Sequence, residues 1–524
     1  VKIVVPAMPT TLDWQTSDPT SWSNYPVMLA TMRGLTSLGA DNQIGPGLAS
    51  HWERELSSDG HEIFTFHLRT DVEWSDGVSP LCAQDFVVGW RRAMVGRERG
   101  EMTDLLGAHE VLATLEAGAS AAEVERALGR LGVEALDAHT LRVTLVSPKS
   151  YFLARVANVY LFFPAPSGDL VGRSSEDIED YFDRPHDGKP RALGPFRIES
   201  WDRAGERVRL VENPFSSFAP RLLADEERPA VVTLMKSEVG QALYQRGRVD
   251  FTFVDSPEAL VGKPSPDLKR ETLLSTYFLA FNTQRPPLNR AEVRQALSWA
   301  LDRNALVAGI LPAARPASSL LPPDLPGASH EATGGLYRPD LAARLLKKVG
   351  VPSRPLRVVY RAGESFIPEV AIAERIRLQL AKLGVTVELD ARYDFSIEIL
   401  RTAPDGFLAP DMYLRRIGAD YAHPKTFFTL FEIGGNHATG WEKIDGGDAL
   451  RRFEALLSHA DAVPDPSAAA DLYRQAESIL IDEQAVIAPL YHPDRYYLVR
   501  PRLIGLTVDR FNFLSLGEMR LKRR

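Results

Sequence analysis

Two strand–helix–strand patterns limit what this chain can become. In the first, β-branched runs at 231–235 and 249–254 flank helical spacing at 238–246. In the second, apolar runs at 356–360 and 385–389 flank a helix at 369–383. Strands joined through a helix need a crossover, which sets them parallel and lays the helix on a face of their sheet. The patterns lie roughly a hundred residues apart, so each predicts a sheet of its own. With 524 residues, the chain also exceeds the ~250–300 at which a single core stops growing. At least two mixed α/β lobes follow.

The rest of the pattern fits such lobes. Lys2 to Val5 reads as a strand ended by Pro6, followed by an ordered loop at 12–25 and a helix reaching about Gly34. Two strands are expected between His51 and Trp74, and in the second Phe64, Phe66 and Leu68 alternate onto one face. Helical spacing follows at 84–94 and 120–131, and strands at 140–146, 196–198 and 208–211. A long helix at 289–309 capped by Asn289, a helix at 341–349, a buried strand at 411–417, a helix at 468–481 and a strand at 486–491 complete the reading.

Charge and cysteine content exclude several partners. The formal net charge of −8 and the scatter of 61 Lys and Arg leave no basic face for phosphates, so no nucleic acid partner is expected. One cysteine, Cys82, permits neither an intramolecular disulfide nor a cysteine-built zinc site. No apolar run reaches the ~18 residues that would span a bilayer. The chain starts Val1-Lys2-Ile3 without Met or a charged-then-apolar leader, which reads as a mature or trimmed product whose targeting segment, if any, lies outside this sequence.

The sequence carries none of the common short motifs of catalysis. There is no phosphate loop, dinucleotide fingerprint, nucleophile elbow or H-E-x-x-H helix. His51, His61 and His67 fall close together, but edge histidines explain them more simply than a metal pair. Trp14, Trp22 and Trp441 read as packing residues more readily than as pocket walls. No enzyme and no cofactor are expected.

Several segments, in order along the chain, resemble the oligopeptide-binding family of ABC importers. They are Phe64-Thr65-Phe66-His67-Leu68-Arg69, Trp74-Ser75-Asp76-Gly77, Ala83-Gln84-Asp85-Phe86-Val87, residues 132–145, Gly194-Pro195-Phe196, Ser237-Glu238-Val239, Phe281-Asn282-Thr283-Gln284 and Val293-Arg294-Gln295-Ala296-Leu297. The resemblance implies a two-lobed, type II (Venus-flytrap) binding-protein fold with mixed sheets and an additional α/β domain. Residues 1–31, 162–274 and 494–524 would form one discontinuous lobe. Residues 32–161 would be the extra domain, and 275–493 the opposite lobe. A hinge-closing monomer outside the cytoplasm, with or without a lipid anchor, would then pass short peptides to a membrane permease. The same fold with another cargo (a dipeptide, a murein peptide, a metal chelate), or a sensor, is the alternative.

The resemblance also assigns a site. Gly418-Ala419-Asp420-Tyr421 is similar to the motif whose aspartate holds the peptide ammonium, so Asp420 takes that role, in a contact buried inside the closed cleft. An extended peptide offers backbone groups common to every sequence, and strand-to-strand pairing obtains affinity from them without selecting side chains. On an extended segment Arg416, Gly418 and Asp420 point one way and Ile417 and Ala419 the other. Gly418 permits close approach of a ligand backbone. Asp18 and Thr20, with Ser275 and Tyr277, match the family's further backbone contacts. Phe366 stands where some members offer a histidine to the peptide carboxylate, and Tyr491-His492-Pro493 replaces a more tyrosine-rich stretch, which makes Phe366 and His492 further ligand-facing candidates. Ile417 replaces a tryptophan frequent in the family. Leu414 stands at the position of an arginine that meets the peptide carboxylate, with Arg415 and Arg416 adjacent.

Overall fold

The computed structural model describes the chain apart from residues 16–22, 40–42, 186–187, 255–264, 312–313, 329–335, 363–368, 394–409, 434, 436–438, 464 and 524. The chain divides into two units. One comprises Val1–Phe253, Ser265–Lys269 and Tyr497–Arg524, the other Val254–Pro264 and Arg270–Tyr496.

The first unit holds five whole strands of a seven-stranded mixed sheet, with Leu268–Lys269 and Tyr497–Val499 of the other two. The sheet's strands run in the order Leu268–Thr272, Asp494–Val499, Phe251–Phe253, Lys2–Val5, Val231–Lys236, Arg207–Glu212, Phe196–Asp202. The strands of the first strand–helix–strand pattern are parallel but not neighbours. Lys2–Val5 lies between them and pairs in parallel with both (Lys2 with Thr233, Ile3 with Phe251). A crossover fixes direction, and adjacency is decided by whichever strand best fills the gap.

A separate four-stranded sheet, in the order Ala49–Leu56, Glu62–Leu68, Thr140–Leu145, Val133–Ala135, belongs to the same unit. The predicted alternation holds: Phe64, Phe66 and Leu68 are buried and the residues between them partly exposed. His51 and His67 face each other across two of these strands, their rings stacked 4.3 Å apart. Among the described residues no cluster of three potential ligands could hold a metal ion.

The second unit holds a six-stranded sheet: Arg315–Pro316, Ile487–His492, Ser275–Phe281, Met412–Gly418, Leu356–Arg361, Val387–Arg392. Here the second pattern's strands are direct parallel neighbours, Leu356 opposite Val387. Leu279, Phe281, Val358, Met412 and Leu414 from the sheet pack with Leu297, Ile376 and Leu380 from its helices.

The helix expected at 289–309 is two helices, Ala291–Trp299 and Arg303–Val307. The residue ahead of the first is Arg290, which makes no side-chain cap, so Asn289 does not serve as one. Asp302 caps the second by accepting from Ala305 N–H. Gln379 holds the break open, accepting from Asp302 N–H at 2.7 Å and donating to its carbonyl at 3.1 Å.

Candidate functional site

The strand Met412–Gly418 carries three of the candidate residues, Arg416, Ile417 and Gly418, and follows an anchored residue. Asp411 is buried and receives both guanidinium nitrogens of Arg354, at 2.6 and 2.9 Å, plus the Arg357 N–H at 2.9 Å. Burial alone would raise its carboxyl pKa, but the hydrogen bonds from Arg354 and Arg357 N–H, with Arg285 nearby, hold it below the usual range.

From that anchor the strand runs from core to surface. Met412, Tyr413 and Leu414 are buried, while Arg415, Arg416, Ile417 and Gly418 are partly exposed. On one side all seven residues pair with Ser275–Phe281, from Phe281 opposite Met412 to Ser275 opposite Gly418. Ala419 N–H extends the ladder to Leu274 O at 2.8 Å. On the other side, among the described residues, the register with Leu356–Arg361 comprises Val358 with Met412 and Val359 with Tyr413. The partly exposed half of the strand lies beyond these two register pairs.

Beyond Gly418 the chain turns. Ala419 and Tyr421 are buried and Asp420 between them is exposed. Asp420 N–H donates to Thr426 Oγ1 at 3.2 Å, and that hydroxyl donates to Asp420 Oδ2 at 3.4 Å. His423 N–H closes the turn onto Tyr421 O, and the short helix Lys425–Phe428 follows. Burial pushes the His423 imidazole down to about 3, with Lys425 acting the same way. Lys425 is itself buried, 2.6 Å from Glu432 and 3.2 Å from Asp461, and Tyr473 donates to Asp461 at 2.7 Å. Burial opposes the charge on Lys425, but Asp461 and Glu432 more than compensate and raise its pKa. Burial likewise pushes Glu432 upward.

The other predicted residues divide into two groups. Ser275 Oγ donates to Ile417 O at 2.7 Å. Tyr277 lies opposite Arg416 and stacks on Tyr491 with ring centroids 4.7 Å apart. His492 is buried, its Nδ1 3.0 Å from Thr276 Oγ1 and 3.2 Å from Ser275 O. Because the Thr276 hydroxyl gives its proton to Leu320 O, His492 Nδ1 is the donor here. Ser275, Tyr277, Arg416, Ile417, Gly418, Ala419, Asp420 and His492 therefore gather at one end of one sheet. Asp18, Thr20, Phe366 and Trp22 lie outside the described residues. Trp14 and Trp441 are buried, and Trp441 Nε1–H is satisfied by Phe431 O.

Sequence reasoning did not find Thr426, Lys425, Glu432, Asp461 or Tyr473. Their partners lie up to tens of residues away with no regular spacing. A threonine six positions after the aspartate was the only local sign.

The strand Met412–Gly418 thus leads, within an α/β unit, to a turn that presents an exposed carboxylate. Comparison with known proteins gives the chain a family. Residues 43–438 match the model of the bacterial extracellular solute-binding proteins, family 5, middle region. The chain is 28% identical over 495 residues to the probable deoxycholate-binding periplasmic protein YgiS of Escherichia coli, covering 91% of this chain and 85% of that one. It is 27% identical over 493 residues to the oligopeptide-binding protein OppA of Bacillus subtilis, covering 89% and 82%. The murein tripeptide-binding protein MppA of Escherichia coli superposes with a TM-score of 0.76 at 23% identity, covering 100% and 99% of the two chains. This chain belongs to the bacterial extracellular solute-binding proteins, family 5. Its fold is that of this family's binding proteins. No helix among the described residues is long and apolar enough to cross a membrane.

Proposed function

We propose that this protein captures short peptides on the outer side of the cell membrane and passes them, as a monomer, to the permease of an ABC importer. The peptide backbone pairs along Arg416, Ile417 and Gly418, and the Asp420 carboxylate receives the α-ammonium. The observation that carries this reading is the strand Met412–Gly418, which continues past its register with Val359 into the partly exposed residues Arg415–Gly418 and leads to an exposed aspartate. An ammonium leaving water needs an anion, because an unpaired charge is strongly disfavoured there. Asp18, Thr20, Phe366, Ser275, Tyr277 and His492 join the proposal on the family resemblance. Hinge closure about the ligand belongs to it as well, and so do the discontinuous lobe, the extra domain at 32–161 and the lobe at 275–493.

The test is direct. The protein is titrated with a mixed pool of free-amine peptides and what it retains is weighed by mass spectrometry. Retained peptides of unaltered mass are expected; peptides of changed mass would mean turnover, and no retained peptide would sink the reading. A bile acid would bring its own carboxylate to Asp420, a like-charge contact, so an anionic sterol is not the expected cargo. Asp420→Ala is expected to weaken free-amine peptides about 10- to 100-fold, the worth of a charge-assisted bond, and to spare N-acetylated ones. Equal weakening of both forms would remove the role from Asp420.

A further inference from the structure

An exposed carboxylate is a poor clamp unless something fixes its direction, since a mobile side chain gives up affinity when it is ordered. In this chain one hydroxyl meets Asp420 twice. Thr426 Oγ1 accepts from the aspartate's backbone N–H and donates to its Oδ2. Thr426 is buried, at 6% exposure, so water has little access to compete. Its own position is set by the helix Lys425–Phe428, tied down on both sides. Lys425 is held by Glu432 and Asp461. The Phe428 ring lies parallel to Tyr473, centroids 5.7 Å apart, and Tyr473 bonds Asp461. Burying a lysine and two carboxylates is an inefficient source of stability compared with apolar packing. What such a cluster does supply is fixed geometry.

We infer that Thr426 is a positioning residue for the ligand ammonium, aiming the Asp420 carboxylate from a helix locked by the Lys425–Glu432–Asp461 cluster. The inference rests on the peptide-binding reading above. It separates two features that otherwise look alike: an aspartate that is present and an aspartate that is aimed.

Thr426→Val keeps the shape and removes the hydroxyl. Trialanine and N-acetyl-trialanine serve as probes, with Kd from calorimetry and Tm recorded for every variant. In Thr426→Val the preference for the free amine should fall about tenfold, the N-acetyl Kd staying at its wild-type value. Thr426→Ser, which restores the hydroxyl, should return the wild-type preference, an outcome that a merely structural threonine does not predict. If the valine variant does not fold, Thr426→Ala carries the same expectation. Should Thr426→Val or Thr426→Ala keep the full preference while Asp420→Ala abolishes it, the positioning role is overturned and the peptide reading stands. Should wild type and Asp420→Ala treat the two probes alike, the ammonium contact itself is wrong and this inference falls with it.

Discussion

Glu477 shows how a single buried group ties stability to pH. Its carboxylate is met by Ser319 Oγ at 2.8 Å, Leu320 N–H at 2.6 Å and Leu321 N–H at 3.3 Å. Burial pushes it up to about 7, and the three donors only partly offset that. The unfolded chain releases this proton near 4.5, so between about 4.5 and 7 the folded chain binds a proton that the unfolded chain has lost. Stability from this group therefore falls as pH rises through that window, by on the order of 3 kcal/mol. His423, whose folded pKa is depressed, slopes the other way: its contribution is lost as pH falls below its unfolded value of 6.5. Comparison at each pH is therefore with Glu477→Gln, which keeps an acceptor for the same donors. The Tm of wild type relative to the glutamine variant should decline from pH 4.5 to 7 and then level off. A difference independent of pH would mean that Glu477 does not titrate in this range. The link reaches the site as well, because Leu320 O accepts from Thr276, on the strand that pairs with Ile417.

At the scale of elements, the stretch from Trp74 to Val87 that takes part in the family resemblance has a physical reason. Asp85 is buried at the start of the helix Ala83–Val95 and accepts from Trp74 Nε1, Cys82 N–H, Ser167 N–H and Ser167 Oγ. It thereby joins the tryptophan of the W-S-D-G segment to the helix and to the start of the short helix Ser167–Leu170, eighty-two residues onward. Asp85→Ala leaves buried donors unmet and should cost about 3 kcal/mol or more in urea unfolding, with Asp85→Asn recovering part. A loss below ~0.5 kcal/mol would show the joint to be dispensable. The alternation of Phe64, Phe66 and Leu68 and the parallel strands Leu356–Arg361 and Val387–Arg392 were legible in the sequence, because near neighbours decide them. The break at Ala300–Leu301 was not, although Asp302 marked it. The grip that holds it comes from Gln379, seventy-seven residues away, and helical spacing carries no record of a distant amide. The site divides in the same way. Family resemblance pointed to Asp420, whereas Thr426 and the Lys425 cluster emerge only once Glu432, Asp461 and Tyr473 fold around them.

At the scale of the molecule, the chain order makes the first unit dependent on its last residues. Tyr497, Leu498 and Val499 pair with Phe253, Thr252 and Phe251, completing the side of the sheet on which Lys2–Val5 also rests. Phe513 stacks on Tyr25 with centroids 3.8 Å apart, and Arg502 pairs with Asp250 at 2.7 Å. Leu506, Val508, Phe513, Leu514, Leu516 and Met519 are all buried. At roughly 1.5–3 kcal/mol each, these side chains together match the ~5–15 kcal/mol that holds a whole domain folded. A chain ending at Tyr496 should therefore lose the first unit rather than merely fray. In hydrogen exchange, the amides of Ile3 to Val5 and Val232 to Leu234 should lose their protection. Those of Ser275–Phe281, whose paired strands all lie before residue 496, should keep theirs. Protection of Ile3 to Val5 equal to that in the full chain would show that the C-terminal segment is an accessory. Loss of protection would show that a unit assembled from three stretches of sequence folds only when its last stretch returns to it.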